Sequence, residues 1–335
     1  MLIPHRRSLL LLFVVALAIG VPGSQAQSPQ ALEALHQLLL PLFELSGVVF
    51  TDADETSNRL VVGVLDRHVE GLVRARLRVL GVSSQFVDVV ETEPIRRVAT
   101  LRDKVRPVVG GLQIRFSQFR CSLGFNAWRA GVKGYVTASH CSDRQGNVDG
   151  TLYYQPLNQV ADEFIGTEIA DPSFFRSFFR GCPLGRKCRY SDSNFSDGDD
   201  AVAFTLGRIA RTTGPNNGSL EIAGEFAIRA QGAAMVGQTG NKVGQTTGWT
   251  EGIVTRTCVN TGVSDSDIVL LCQDFVENTV QIVNSGDSGS PVFRINAGDS
   301  VTLLGNLWGA NSSGTLFVYS PIVNIERELG ALTTF

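Results

Sequence analysis

Histidine and methionine are scarce in this 335-residue chain, at four and two residues, and beyond residue 100 His140 is the single histidine. A metal centre built from imidazoles is therefore excluded from the C-terminal two-thirds. No CxxC pair exists to replace it, so neither a metal nor an organic cofactor is expected. Positive charge is not in excess: 29 Lys and Arg stand against 32 Asp and Glu, a net charge of -3. That argues against a nucleic-acid partner, which calls for a basic face. The one marked apolar run, Leu9 to Val21, falls short of the roughly 20 residues that span a bilayer. No later segment reaches that length, so no membrane association is expected once the leader is gone.

The leader reads as a secretory signal. His5, Arg6 and Arg7 precede the apolar run, and Gly23-Ser24-Gln25-Ala26 puts small residues at the -3 and -1 places of a cut after Ala26. Residues 1–26 are thus expected to be removed, and the product is expected to be secreted and extracellular. The first 120 residues hold no cysteine, whereas Cys121, Cys141, Cys182, Cys188, Cys258 and Cys272 follow. An even number in an oxidising compartment predicts three disulfides. Fifteen pairings are open in principle, and spacing favours the sequential 121–141, 182–188 and 258–272.

Two regions of different character follow the signal. Ala31 to Leu45 reads as an apolar helix, and Gly47–Phe50 and Arg59–Val64 as strands. Val69, Leu72, Val73, Leu77 and Leu80 recur at helical spacing over Arg67–Leu80, and Gln85–Val90 is a further strand. This is a small α+β unit, residues 27–106, closed by a charged, helix-like stretch from Glu91 to Pro107. From residue 107 to 335, 35 glycines in the whole chain and recurring short β-type runs predict an all-β domain. Those runs are Gly134–Thr137, Ala201–Leu206, Gly252–Thr255, Val280–Val283 and Thr302–Leu307. A cysteine-free unit ahead of a secreted hydrolase is read as a pro-segment, which makes it a partner of its own domain.

The chemistry concentrates in three places. In Asn284-Ser285-Gly286-Asp287-Ser288-Gly289-Ser290-Pro291, glycines flank Ser288, so a tight turn can present a nucleophile. The amides of Gly286 and Ser288 can then aim at one oxyanion. A serine needs a base, and His140, at the end of the β-type run Tyr135–Thr137, is the candidate, tethered by Cys141. A disulfide closing that loop is worth about 3 kcal/mol in the chain-entropy model. The base in turn needs a carboxylate, for which the acidic turn Asp197-Gly198-Asp199-Asp200 offers candidates.

With these residues in view, the chain resembles the chymotrypsin-like serine proteases, and within them the bacterial branch of streptogrisins and α-lytic protease. The resemblance rests on Val108-Val109-Gly110-Gly111, Cys121–Asn126, Thr137-Ala138-Ser139-His140-Cys141, Thr247-Gly248-Trp249 and Gly286-Asp287-Ser288-Gly289, and covers about residues 108–325. It implies two packed six-stranded β-barrels, a cleft between them, and a pro-domain that assists folding and then inhibits. It implies a His140, Asp199, Ser288 triad, because Asp199-Asp200-Ala201-Val202 fits the family's pattern of acid, any, small, apolar. The expected activity is endopeptidase cleavage of protein or peptide substrates through an acyl-enzyme. Ile282 stands where trypsin-like members carry an acid, so an apolar or small residue is expected before the cleaved bond. The family's serine on the substrate-pairing strand has no evident counterpart in Gly305–Gly309. The rival readings are a secreted, non-catalytic binding protein of the same fold and a non-peptidase acyl hydrolase.

Overall fold

The computed structural model of the protein describes residues 28–95 and 98–335. The expected signal peptide, residues 1–26, lies outside the described residues. The chain forms two compact units, one ending at residue 97 and one running from Val98 to Phe335.

The first unit has helices α1 (Pro29–Gln37) and α2 (Glu70–Val79) and strands β1 (Val48–Asp54), β2 (Arg59–Val64) and β3 (Val87–Glu91). β1 pairs antiparallel and β3 parallel with β2. Leu32, Leu42, Leu60, Val62, Val73 and Leu77 form its core. The helix expected over Ala31–Leu45 is broken: α1 stops at Gln37 and a 3-10 turn covers Leu40–Glu44. Pro41 has no amide to donate to the carbonyl four residues back, so the α-helix cannot continue through it.

The charged helix expected over Glu91–Pro107 is not formed by the described residues there. Instead Ala99 to Leu101 joins the second unit. Leu101 donates its amide to Leu220 at 2.9 Å, Ile222 donates to Ala99 at 2.7 Å, and Gln113 donates to Leu101 at 2.8 Å. Leu101 is fully buried in the main core of that unit.

The second unit is mostly β. One sheet of eight strands runs in the order Leu332–Thr333, Phe125–Arg129, Val132–Thr137, Asn194–Gly198, Phe164–Ala170, Leu152–Tyr154, Gln113–Phe116, Phe119–Ser122. The other sheet has ten strands. Six of them pair in a closed circuit: Thr239–Gly244, Gly248–Gly262, Ile268–Glu277, Leu316–Pro321, Ser300–Ala310 and Pro291–Ala297. The circuit closes these strands on one another, and the end of Ser300–Ala310 beyond Leu307 is left paired on one side alone. Inside it lie Val254, Val276, Val292, Leu304, Phe317 and Tyr319. A larger core joins the two sheets, with Phe125, Tyr135 and Val136 from one and Ile209, Phe226 and Phe293 from the other.

Two strand expectations shift. The run Ala201–Leu206 becomes strand only from Phe204. Val280–Val283 is irregular, although Ile282 and Val283 are buried. Short apolar runs report burial, and burial alone does not distinguish a strand from a packed loop.

Candidate active site

His140 sits in a single 3-10 turn, Ser139–Cys141, directly after the strand Val132–Thr137. The disulfide Cys121–Cys141 ties that turn to the strand Phe119–Ser122. The other two bridges join Cys182 to Cys188 and Cys258 to Cys272. His140 Nδ1 lies 2.7 Å from Asp192 Oδ2, and the His140 amide donates to Asp192 Oδ1 at 2.9 Å. The imidazole is about one-third exposed and the carboxylate almost wholly buried. Burial disfavours the charged imidazole, but the charge and hydrogen bond of Asp192 outweigh it and hold His140 above its ordinary value of 6.5. Burial likewise works to raise Asp192, and the charge and hydrogen bond of His140, with Arg189 nearby, bring its carboxyl below the usual value.

Asp192, and not the expected Asp199, is therefore the carboxylate beside His140. Strand register gives the reason. Val132–Thr137 and Asn194–Gly198 are antiparallel, with Thr137 opposite Asn194 and Gly134 opposite Asp197. A residue following Thr137 thus meets one preceding Asn194. Asp199 lies beyond the opposite end, about 23 Å away along an extended strand of seven residues. Its carboxylate accepts from the Ala201 amide at 2.7 Å, closing a local turn. The family pattern misses Asp192 because Asn194 stands where that pattern requires a small residue. The strand it introduces, Asn-Phe-Ser-Asp-Gly, also lacks an apolar signature. The usable signal is pairing: an antiparallel neighbour of the histidine's strand must offer its acid at its start.

The segment carrying Asp192 is anchored on every side. Gln145 Nε2 donates to Asp192 Oδ1 at 3.2 Å, and the Asp192 amide donates to Ser320 Oγ at 2.9 Å. Ser193 Oγ donates to Asn306 Oδ1 at 2.6 Å. Gln145 thus bonds the Asp192 carboxylate, and Ser320 holds its backbone amide. Glu328, from the helix Ile322–Leu329, accepts the amides of Tyr190 and Ser191 at 2.8 and 2.9 Å. Arg189 is fully buried and donates to Asp171 Oδ1 at 2.8 Å, Ser139 Oγ at 2.7 Å and Ser193 O at 2.8 Å. One guanidinium thereby ties the residue before His140 to the residue after Asp192.

Ser288 is half-buried on the loop leading into the strand Pro291–Ala297. Its carbonyl accepts the Ser122 amide at 2.8 Å and lies 3.9 Å from Cys141 Sγ. The structure thus brings Ser288 against the disulfide next to His140. The described residues show no hydrogen bond between Ser288 Oγ and His140, and such bonds are often long in an unliganded site. Gly289 has φ +88°, and a Cβ there would stand 2.2 Å from Ser122 O and from Thr137 Oγ1. Gly286 has φ +94°, a left-handed conformation that glycine adopts without strain. Among the described residues nothing accepts the amide N–H of Gly286 or Ser288, whereas Gly289 donates to Leu307 at 2.7 Å.

Asp287 fixes this loop. It is fully buried, and its Oδ1 accepts the Thr246 amide at 3.0 Å. Its Oδ2 accepts Thr247 Oγ1 at 2.7 Å and the Asn284 amide at 3.0 Å. The counter-charge is Lys242 Nζ at 3.2 Å, also fully buried. Desolvation presses the Lys242 ammonium below its ordinary pKa while Asp287 opposes that fall.

The structure thus places a buried histidine–carboxylate pair near a serine on a glycine-flanked turn whose loop carries two free amides. The chain is similar to the chymotrypsin-like serine proteases of bacteria. No family model matches it. Streptogrisin-D of Streptomyces griseus is 29% identical over 227 residues, which cover 67% of this chain and 47% of that protein. The chain thus spans about half the length of the curated relative it matches. Among solved structures, Thermobifida fusca Protease A aligns at a TM-score of 0.48 with 22% identity, over 68% of this chain and 99% of that one. Nocardiopsis protease aligns at 0.47 with 22% identity, over 68% and 99%.

Proposed function

We propose that the chain is the precursor of a secreted serine endopeptidase of the two-barrel, chymotrypsin-like type, with His140, Asp192 and Ser288 as its triad. The observation that carries this is the His140–Asp192 pair, 2.7 Å apart, with the neighbouring Cys141 Sγ 3.9 Å from the Ser288 carbonyl. Asp192 accepts the hydrogen bond of Nδ1–H and so leaves Nε2 as the base. Nε2 takes the Ser288 proton during attack on the peptide carbonyl and returns it to the departing amine. The Gly286 and Ser288 amides hold the oxyanion, and water then releases the acyl group. Asp287, already neutralised by Lys242, keeps those amides in place without an ammonium from a newly cut N-terminus.

The acyl half of the substrate is placed in a cavity of about 430 Å3 bounded by His140, Asp192, Trp308 and Gly309. There the strand Ser300–Ala310 pairs on one side alone beyond Leu307, so an incoming strand can add to its edge. Ile282, fully buried, offers no charge to a basic side chain, which supports cleavage after apolar or small residues. The leader's layout and three disulfides support secretion. The N-terminal α+β unit is assigned as the pro-segment. Its end is placed at or before residue 98, because Ala99–Leu101 is built into the second unit.

Casein hydrolysis by the secreted, processed protein, set beside Ser288→Ala, tests this reading. Hydrolysis that disappears in the variant is expected. A folded wild type with no Ser288-dependent hydrolysis and no labelling by a serine-directed phosphonate would overturn it in favour of a binding protein.

A further inference from the structure

A second cavity, of about 560 Å3, borders the loop of Ser288 at Ser285 and Gly286 and shares no lining residue with the cavity at His140. Arg102, Arg115 and Arg120 line it, and no carboxylate does. Arg102 Nε donates to Gln245 O at 2.8 Å and Arg115 Nε to Ser117 O at 3.0 Å, both backbone carbonyls that carry no full charge. Among the described residues none of the three arginines takes part in an ion pair, although many others in the chain do.

The placement carries a cost. Arg115 and Arg120 stand directly opposite each other on the hairpin Gln113–Phe116 and Phe119–Ser122. Like charges across an antiparallel pair destabilise it. Arg102 and Arg120 are exposed and Arg115 is half-buried, so the forks remain open to a ligand. An anion between them would relieve the repulsion, and a carboxylate matches the guanidinium fork.

Position supplies the partner. On the protease reading, which this inference rests on, the acyl half of the substrate fills the cavity at His140 and Trp308. The half that leaves with the amine then passes Gly286 on the opposite side. We propose that Arg102, Arg115 and Arg120 form a subsite for a substrate carboxylate about two residues beyond the cleaved bond. The carboxylate is an Asp or Glu side chain, or the free C-terminus of a substrate ending there.

The test uses quenched peptides sharing one acyl half, assayed with the processed protein. Three are amidated and carry Glu, Gln or Lys at the second position beyond the bond, and a fourth ends at Gln with a free carboxylate. The Glu peptide is expected to exceed the Gln peptide about tenfold in kcat/KM, with Lys lowest. The gap should shrink between about 0.05 and about 0.5 M salt. Whether the amidated Glu or the free-acid peptide gains more identifies the source of the carboxylate. Arg120→Gln and the double variant with Arg115→Gln should bring the Glu-to-Gln ratio toward one. Their unfolding midpoints should be no lower than wild type, since a like-charge pair is gone. Equal rates for the amidated Glu, amidated Gln and free-acid peptides in the wild type, or a carboxylate preference that survives in the double variant, overturn the subsite and leave the protease intact. No Ser288-dependent hydrolysis of any peptide sinks the protease reading and the subsite with it.

Discussion

On the proposed mechanism His140 acts as the base only when neutral, so activity should follow its titration. Asp192 holds the imidazole above 6.5, and the acid limb of kcat/KM is expected to have its midpoint above that value, with activity rising as pH increases through it. Asp192→Asn removes the charge and presents the wrong partner to Nδ1. Turnover should fall by about 10^4 and the residual activity should titrate at lower pH. Asp199→Asn alters only the turn at Ala201 and should keep turnover near wild type. A peptide-anilide assay with titrated active sites compares the two. If Asp199→Asn is the crippled variant, Asp192 does not belong to the triad.

If the chain is processed as proposed, pairing between elements limits where the processed form can begin. Ala99 and Leu101 pair with the segment Leu220–Ile222, and Leu101 fills the core beneath the strand Gln113–Phe116. Cutting at Val108, where the family-like motif starts, would strip those bonds and empty the Leu101 site. Losing a buried leucine alone costs about 2–5 kcal/mol. The N-terminus of the active protein is therefore expected at or before Ala99, as read by N-terminal sequencing of the secreted band. A stable, active form beginning at Val108 would contradict this. The sequence showed the change of character near residue 107, because that is where glycine and strand patterning start. It did not show that a strand-poor stretch of Val98–Pro107 already belongs to the second unit, since pairing to residues over 100 positions away leaves no local periodicity.

Across the whole molecule, buried charge sets the response to pH. Glu168 is 1% exposed, and burial first, with Asp149 and Asp171 adding to it, lifts its carboxyl to about 7 from 4.5. A raised folded-state value means that the fold holds this proton more tightly than the open chain does. Its contribution is complete below 4.5 and is lost as pH rises through about 7, a change of about 3 kcal/mol. Denaturant unfolding of Ser288→Ala protein, chosen to prevent self-digestion, should show lower stability at pH 8 than at pH 5.5. Glu168→Gln should reduce that slope, leaving the part that His140, also raised in the fold, contributes. An unchanged slope would mean that Glu168 does not carry it.

The sequence alone determined what is local. The turn at Ser288 needed its glycines at 286 and 289, His140 was the single histidine of its region, and the N-terminal β-β-α-β pattern followed from side-chain period. The closed circuit of six strands, the choice of Asp192 over Asp199, and the buried Lys242–Asp287 and Arg189–Asp171 pairs were decided by tertiary structure. A carboxylate's role depends on which strand end meets the histidine, and register is fixed by packing between segments far apart in the chain. The basic cavity beside Gly286 is of the same kind: Arg102, Arg115 and Arg120 look like scattered surface charges until the fold gathers them.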